Sequence, residues 1–363
     1  MNRTGFIGAL ATLAAIAAAC TGVQVDRTSA SLVRFIPQAD WSAASQAASV
    51  QRPDTFDVAA SRTLRSLHGY WDGVCVAGAE ADTLSVEPGE WETVFFSSSP
   101  RNFYRIDHAQ DFMENPDVSM RAITAHLPLQ SRQVFQEQFA TFEPVLVSYY
   151  DTLYPAAPLY LCAQRPTFNL AASEESVQML TIQPKELHQS ASFRIRIVPE
   201  DDTVLPTRVV GCITGIPASV ELMSGYIGIA DLGQTALEFT QVDAQTWEGQ
   251  VDLLGILAPK NEEMVVGPGI LRVLLDFGRN GRRRLRALNL KPYLDATPLI
   301  IYTHVEGFYE AAGHHVLFDI QDPIYLTASN TEDSGEEPIS SWKDPEDSDV
   351  RDILDGYDDD ELL

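Results

Sequence analysis

In the stretch SASFRIRIVPEDD, Phe193, Ile195 and Ile197 alternate with Arg194 and Arg196. Successive side chains of an extended strand point to opposite faces, so a period of two gathers the apolar residues on one face only if the segment is a strand. The same short alternating texture, broken by Pro, Gly, Asn and Asp, recurs between residues 31 and 329. In ADTLSVEPGEWETVFF, Leu84 and Val86 alternate with polar residues, Pro88-Gly89 offers a turn, and Trp91, Thr93 and Phe95 resume the alternation, which predicts a hairpin. ILRVLLDFGRNGRRRLRALNL predicts a second hairpin about Asn280-Gly281, where both positions tolerate positive φ. GCITGIPASVELMSG reads as strand, turn and strand. Helical signal is confined mainly to SRQVFQEQFATF, with Val134, Phe135 and Phe139 on one side and Ser131 placed to cap.

These patterns predict an all-β chain of two tandem antiparallel β-sandwich domains, residues 31–170 and 171–329, divided near Ala171 after the proline-rich YPAAPLYLCAQRP. Residues 330–363 stand apart. From Thr331 onward, fourteen acidic residues face only Lys343 and Arg351, a net of -12 in a chain whose total is -26. Such self-repulsion with few aromatic or β-branched residues predicts a disordered acidic tail. The overall acidity also argues against a nucleic-acid partner, since phosphate binding needs clustered cations.

At the other end, Arg3 is the only charge before Asp26, and GFIGALATLAAIAAA separates them. This run is shorter than the roughly 20 apolar residues that span a bilayer and has the anatomy of an export signal. Residues 1–19 are therefore expected to be removed, leaving residues 20–30 as a linker. Small residues Ala18 and Ala19 precede Cys20, as in bacterial lipoprotein signals, so Cys20 is the candidate lipidation site and the membrane the expected partner through its acyl chains. Ala17 and Ala19 also form an A-x-A site for a general signal peptidase, which leaves a plain secreted protein open.

The residues between offer no catalytic constellation. Cys75, Cys162 and Cys212 are widely spaced and read as small buried hydrophobes. His304, His314 and His315 are the tempting metal group, but adjacent strand residues face opposite sides, so no metal site is expected. The DFG triplet at Asp276 lacks the phosphate loop, strand lysine and catalytic loop of a kinase. Arg279, Arg282, Arg283, Arg284 and Arg286 read as a solvated loop and outer strand face, with an anion or lipid-headgroup contact as the alternative. Tyr70, Trp71, Tyr149 and Tyr150 read as core, with a sugar platform as the alternative. No cofactor and no enzymatic activity are expected.

The order of the lipobox, the early Asp40-Trp41, VEPGEWETVFF, NFYRIDHAQDF, PLYLCAQRPTFNL, ASFRIRIVP and VVGCITGIPASVELMSGYIG resembles a family of uncharacterised Bacteroidales lipoproteins. These are similar to fimbrillin-associated anchor and accessory subunits. The resemblance covers nearly the whole chain after Cys20 as far as Ser329. It implies two transthyretin-like sandwiches, acylation at Cys20, an outer-membrane location and fimbrial subunits as partners. A surface carbohydrate-binding lipoprotein, with surface glycans as partners, is the alternative. TGVQVD after Cys20 lacks an acidic run, which leaves a periplasm-facing location open.

Overall fold

A computed structural model describes residues 33–43, 53, 56–63, 71–76, 84–98, 103–107, 123–139, 145–169, 177–199, 205–278, 283–303, 308–312, 315–326 and 342–343. The chain is an all-β sandwich fold, dominated by antiparallel strands with a few short helices. It divides into two compact units. The first comprises Met1–Ser97, Asp107–Ile123 and Leu161–Lys185, and the second Ser98–Ile106, Thr124–Tyr160 and Glu186–Leu363.

In the first unit, strand Val33–Ala39 lies between two partners. It pairs in parallel with Val177–Ile182 and antiparallel with Leu84–Val86. Strand Asp57–Thr63 pairs antiparallel with both Trp71–Val76 and Glu92–Ser98. The two alternating runs expected to form a hairpin about Pro88-Gly89 therefore pair with different strands. Between them Gly89–Glu90 pairs with Thr167–Phe168, and the Trp91 indole N–H donates to the Glu87 carbonyl at 2.9 Å. Trp91, Thr93 and Phe95 point inward as the alternation requires, and Val94 and Phe96 are buried too, so this strand is covered on both faces. Phe35 stacks on Phe168 with centroids 4.5 Å apart, joining the two pairings in one core.

The second unit is built on a long sheet. Its strands run in the order His315–Asp319, Gln189–Pro199, Thr246–Leu253, Ile227–Gln241, Arg208–Glu221, Ile270–Asp276, Arg283–Asn289 and Trp342–Lys343. Most neighbours are antiparallel, but Ser190–Arg194 pairs in parallel with His315–Asp319. As the period of two requires, Phe193, Ile195 and Ile197 are buried, while Arg194 meets its cross-strand partner Glu248 at 2.6 Å.

GCITGIPASVELMSG is not strand, turn and strand. Strand Arg208–Glu221 runs through it, with register shifts between Thr214 and Ile216 and between Pro217 and Ser219. Gly215, at φ +77, sits at the first shift, where a Cβ would meet Pro268 Cβ at 2.5 Å. A residue without Cβ is needed at that approach. The expected second hairpin holds in its strands, with Asp276 opposite Arg283, while Asn280 and Gly281 lie outside the described residues.

Helix Arg132–Phe139 starts with the Val134 N–H donating to Ser131 Oγ at 3.3 Å. It packs Phe135 against Val145, Val210, Cys212, Ala236 and Leu274. This helix, expected in the first half of the chain, thus contributes to the core of the second unit. Of the expected acidic tail, Trp342 and Lys343 form a short strand opposite Leu288 and Ala287. The rest of residues 330–363 lie outside the described residues.

Candidate interaction site

Cys20 lies outside the described residues, as do Tyr70, Arg279, Arg282, His304 and His314. The structure describes the backbone of Trp71 and Cys75 but not their side chains. Cys162 and Cys212 are both free and buried, and burial pushes the Cys212 thiol up to about 12. A thiol held protonated and away from solvent packs as a hydrophobe rather than attacking as a nucleophile.

Gln234 positions the loop that carries Tyr149 and Tyr150. Its side-chain amide donates to the carbonyls of Val147 at 2.8 Å and Tyr150 at 2.9 Å, and its oxygen accepts from the Val147 N–H at 2.8 Å. The Cys212 thiol lies 3.3 Å from the same oxygen. Beneath this loop is a cavity of about 260 Å³ whose lining includes Val147, Tyr149, Thr214, Ile270 and Arg272. Arg272 donates to the Leu146 carbonyl at 3.1 Å, and burial lowers its pKa. Burial also raises the Tyr149 phenol, an effect partly offset by a hydrogen bond with the Gly267 backbone and by the Arg272 charge. The Thr214 hydroxyl is engaged with the Gly267 carbonyl at 2.6 Å and the Ile270 N–H at 3.1 Å. The site is small, and the Thr214 hydroxyl and one arm of Arg272 are tied into the protein.

A second cluster, not expected from the sequence, gathers Glu186, His188 and His315. Glu186 Oε1 lies 2.9 Å from His188 Nε2 and 3.3 Å from His315 Nε2. His188 Nδ1 accepts the Leu159 N–H at 3.2 Å, which leaves the ring proton of the neutral tautomer on Nε2, the nitrogen nearer the carboxylate. A nitrogen holding that proton cannot ligate a metal, and among the described residues no group of three potential ligands is placed to hold one. Burial pushes the Glu186 carboxyl upward, but hydrogen bonds and charge from His188 and His315 outweigh it, and the pKa falls below its usual value. Glu186 ends a two-residue strand and His188 lies in the short connection before the strand that begins at Gln189, so no regular strand period announced their meeting in the sequence.

A third surface is the hairpin formed by Ile300–Thr303 and Phe308–Ala311. Phe308 is 48% exposed and stacks on Tyr226 with centroids 4.3 Å apart and planes 10° apart. Tyr302 and Tyr309 sit opposite each other at 5.0 Å, and Ile301 is 47% exposed. Flat aromatic faces of this kind can stack on apolar or saccharide surfaces. The tyrosines singled out in the sequence behave differently. Tyr149 is partly exposed but turns against Tyr150 at 4.7 Å.

No family model matches the chain, and no curated protein matches it. Among solved structures the chain is similar to a candidate adhesin from Bacteroides ovatus, at 13% identity over 86% of this chain and 96% of that one, with a TM-score of 0.46. It is also similar to the fimbrial anchor protein Mfa2 from Porphyromonas gingivalis, at 12% identity over 74% and 85% of the two chains, with a TM-score of 0.40. A candidate polysaccharide-binding protein from Bacteroides thetaiotaomicron matches at 11% identity over 80% and 91%, with a TM-score of 0.40.

Proposed function

We propose that this chain is a non-enzymatic lipoprotein of the outer membrane, held through Cys20, that serves as an anchor or accessory adhesion subunit of a fimbria-like assembly at the cell surface. The observation that carries the reading is the apolar run Gly5–Ala19 leading through Ala18 and Ala19 to Cys20. Two or three acyl chains on that residue give lasting attachment, because each buried methylene contributes about 0.8 kcal/mol. The all-β architecture and the ordered sequence segments that resemble fimbrillin-associated subunits support the assembly role. The buried, protonated Cys212 and the absence of a recognisable catalytic motif in the sequence support a binding rather than a chemical role.

The test has two arms. Palmitate labelling of the full-length protein is expected to mark the wild type and not Cys20→Ser, with the variant leaving the membrane fraction. Affinity purification from detergent-solubilised envelopes is expected to recover fimbrial subunits. Unlabelled wild type that partitions like the variant removes the anchor, and recovery of no subunit removes the assembly role.

The exposed aromatic hairpin favours a second reading, a surface carbohydrate-binding lipoprotein. Under it, binding on a glycan array disappears in a Phe308→Ala variant. Retained glycan binding by that variant, or none by the wild type, rejects the hairpin as the saccharide contact.

A further inference from the structure

The hairpin of Ile300–Thr303 and Phe308–Ala311 has two unlike faces. Opposed residues share a face and alternate residues return to it, so Ile300, Tyr302, Tyr309 and Ala311 lie on one side and Ile301, Thr303, Phe308 and Glu310 on the other. The first side turns into the second unit: Ala311 is buried, and Ile300 packs over Gly255, where an added Cβ would stand 2.6 Å from Ile300 Cγ1. The second side leaves Ile301 and Phe308 exposed.

Phe308 is held in place. Tyr226 bridges to Glu310 and lays its ring parallel to Phe308 at 4.3 Å, which covers one face of that ring. The 48% exposure of Phe308 therefore belongs to its other face and its rim. An aromatic face fixed in this way loses little freedom when a flat ligand stacks on it. Beside it the Thr303 hydroxyl lies 3.5 Å from Glu310 Oε1, so an aromatic face and two oxygen acceptors stand on one small surface.

Size and charge select the occupant. Covering an aromatic side chain and one neighbour removes a few times less area than the roughly 800 Å² that a partner protein covers, since an aromatic residue buries about 150–250 Å². One sugar ring matches that area. The C–H bonds of a pyranose face stack on the negative face of an aromatic ring, while its hydroxyls donate to acceptors at the rim. The Glu310 carboxylate, on a chain of net charge -26, repels a ligand that carries its own anion.

We infer that this outer face of the hairpin is a single-ring saccharide subsite that takes neutral pyranoses in preference to acidic ones, with Phe308 as its stacking platform and Thr303 and Glu310 as hydroxyl acceptors. The inference rests on the carbohydrate-binding reading above and adds to it the class of sugar.

Binding of the whole detergent-solubilised chain to a printed array of neutral glycans and of glycans ending in uronic or sialic acids tests it. The wild type is expected to bind neutral members about tenfold ahead of acidic ones. Phe308→Leu, which keeps apolar bulk without a ring, is expected to weaken binding about tenfold, as Phe308→Ala does, while Phe308→Trp retains it. Leu317→Ala, at an exposed apolar residue on another strand, is expected to change nothing. Glu310→Gln keeps an oxygen acceptor without the charge and is expected to raise the acidic signal about fivefold. An unchanged thermal transition by circular dichroism checks that each variant folds. Neutral binding that survives both Phe308→Leu and Phe308→Ala overturns this subsite and leaves the carbohydrate reading standing, whereas a wild type that binds no glycan overturns both. Preference for acidic glycans, or an acidic signal that Glu310→Gln leaves unmoved, overturns the assigned class.

Discussion

Buried Gln234 and half-buried Arg194 each make good hydrogen bonds, yet they have very different consequences for stability. Gln234 satisfies Val147 through both its N–H and its carbonyl, and Tyr150 through its carbonyl, with the side chain removed from water. Truncation in Gln234→Ala strands those groups without their partner, so a loss of about 3–5 kcal/mol is expected in chemical denaturation. Arg194 meets Glu248 at 2.6 Å, but both side chains are more than a third exposed, and Arg194→Ala is expected to cost less than about 1 kcal/mol. Equal losses in the two variants would contradict this ordering. Glu186 adds a pH dependence. Its carboxyl is pushed up by burial and pulled further down by His188 and His315, so its folded pKa lies below the usual 4.5. A group shifted in that direction adds stability above its unfolded pKa and loses it as pH falls through the folded value. The wild type is therefore expected to exceed Glu186→Gln by about 1–2 kcal/mol near neutral pH, with the gap closing in acid below about pH 4. A gap unchanged down to the acid limit would show that the charge is not its source.

Strands that read clearly from sequence are those whose pattern is set by their own burial, and those that read poorly depend on distant partners. SASFRIRIVP shows its buried face directly, because the residues opposite it leave Arg194 and Arg196 toward solvent. Leu84–Phe96 looked like a hairpin because the two runs are adjacent. Their partners are about 30 to 50 residues away, at Val33–Phe35 and Asp57–Ser61, and local alternation carries no address. Parallel pairing of Ser190–Arg194 with His315–Asp319 was illegible for the same reason, and with it the meeting of His315 with Glu186 and His188. Gly215 shows how a turn signal can mark a bulge instead, since positive φ is common to both. Gly215→Ala places a Cβ 2.5 Å from Pro268 Cβ and 2.7 Å from the Gly269 nitrogen, which is backbone and cannot swing aside. Strain and clash together are expected to cost about 2–4 kcal/mol by urea titration. A neutral result would mean that the Pro268 loop yields. Phe135→Ala, which empties the face of the helix held by Val210, Cys212 and Leu274, is expected to cost about 3–5 kcal/mol in the same assay.

At the scale of the molecule, the class of fold was legible and the division of the chain was not visible as one cut. Thr124–Tyr160 belongs to the second unit and Leu161–Lys185 to the first, so the path leaves each unit and returns. Composition marks a boundary only where the chain crosses once. The charge distribution was legible in amount, about half of the -26 falling after Ser329, but the sequence pattern gave no sign that Trp342 docks within that segment. A buried tryptophan in an acidic stretch is an isolated apolar residue, and only its partner strand reveals its use. Location is the remaining question at this scale, and the residues after Cys20 bear on it. TGVQVD contains one acid, Asp26, and no acidic run, while the proposed role requires the body of the protein to face outward. Protease added to intact cells is accordingly expected to cleave the wild-type protein and spare a periplasmic marker, with Cys20→Ser absent from the cell-bound pool. Survival of the protein until the outer membrane is opened would place it facing the periplasm. That outcome would keep the lipid anchor while removing the surface-adhesion part of the proposal, because a subunit enclosed by the membrane cannot meet an extracellular fibre.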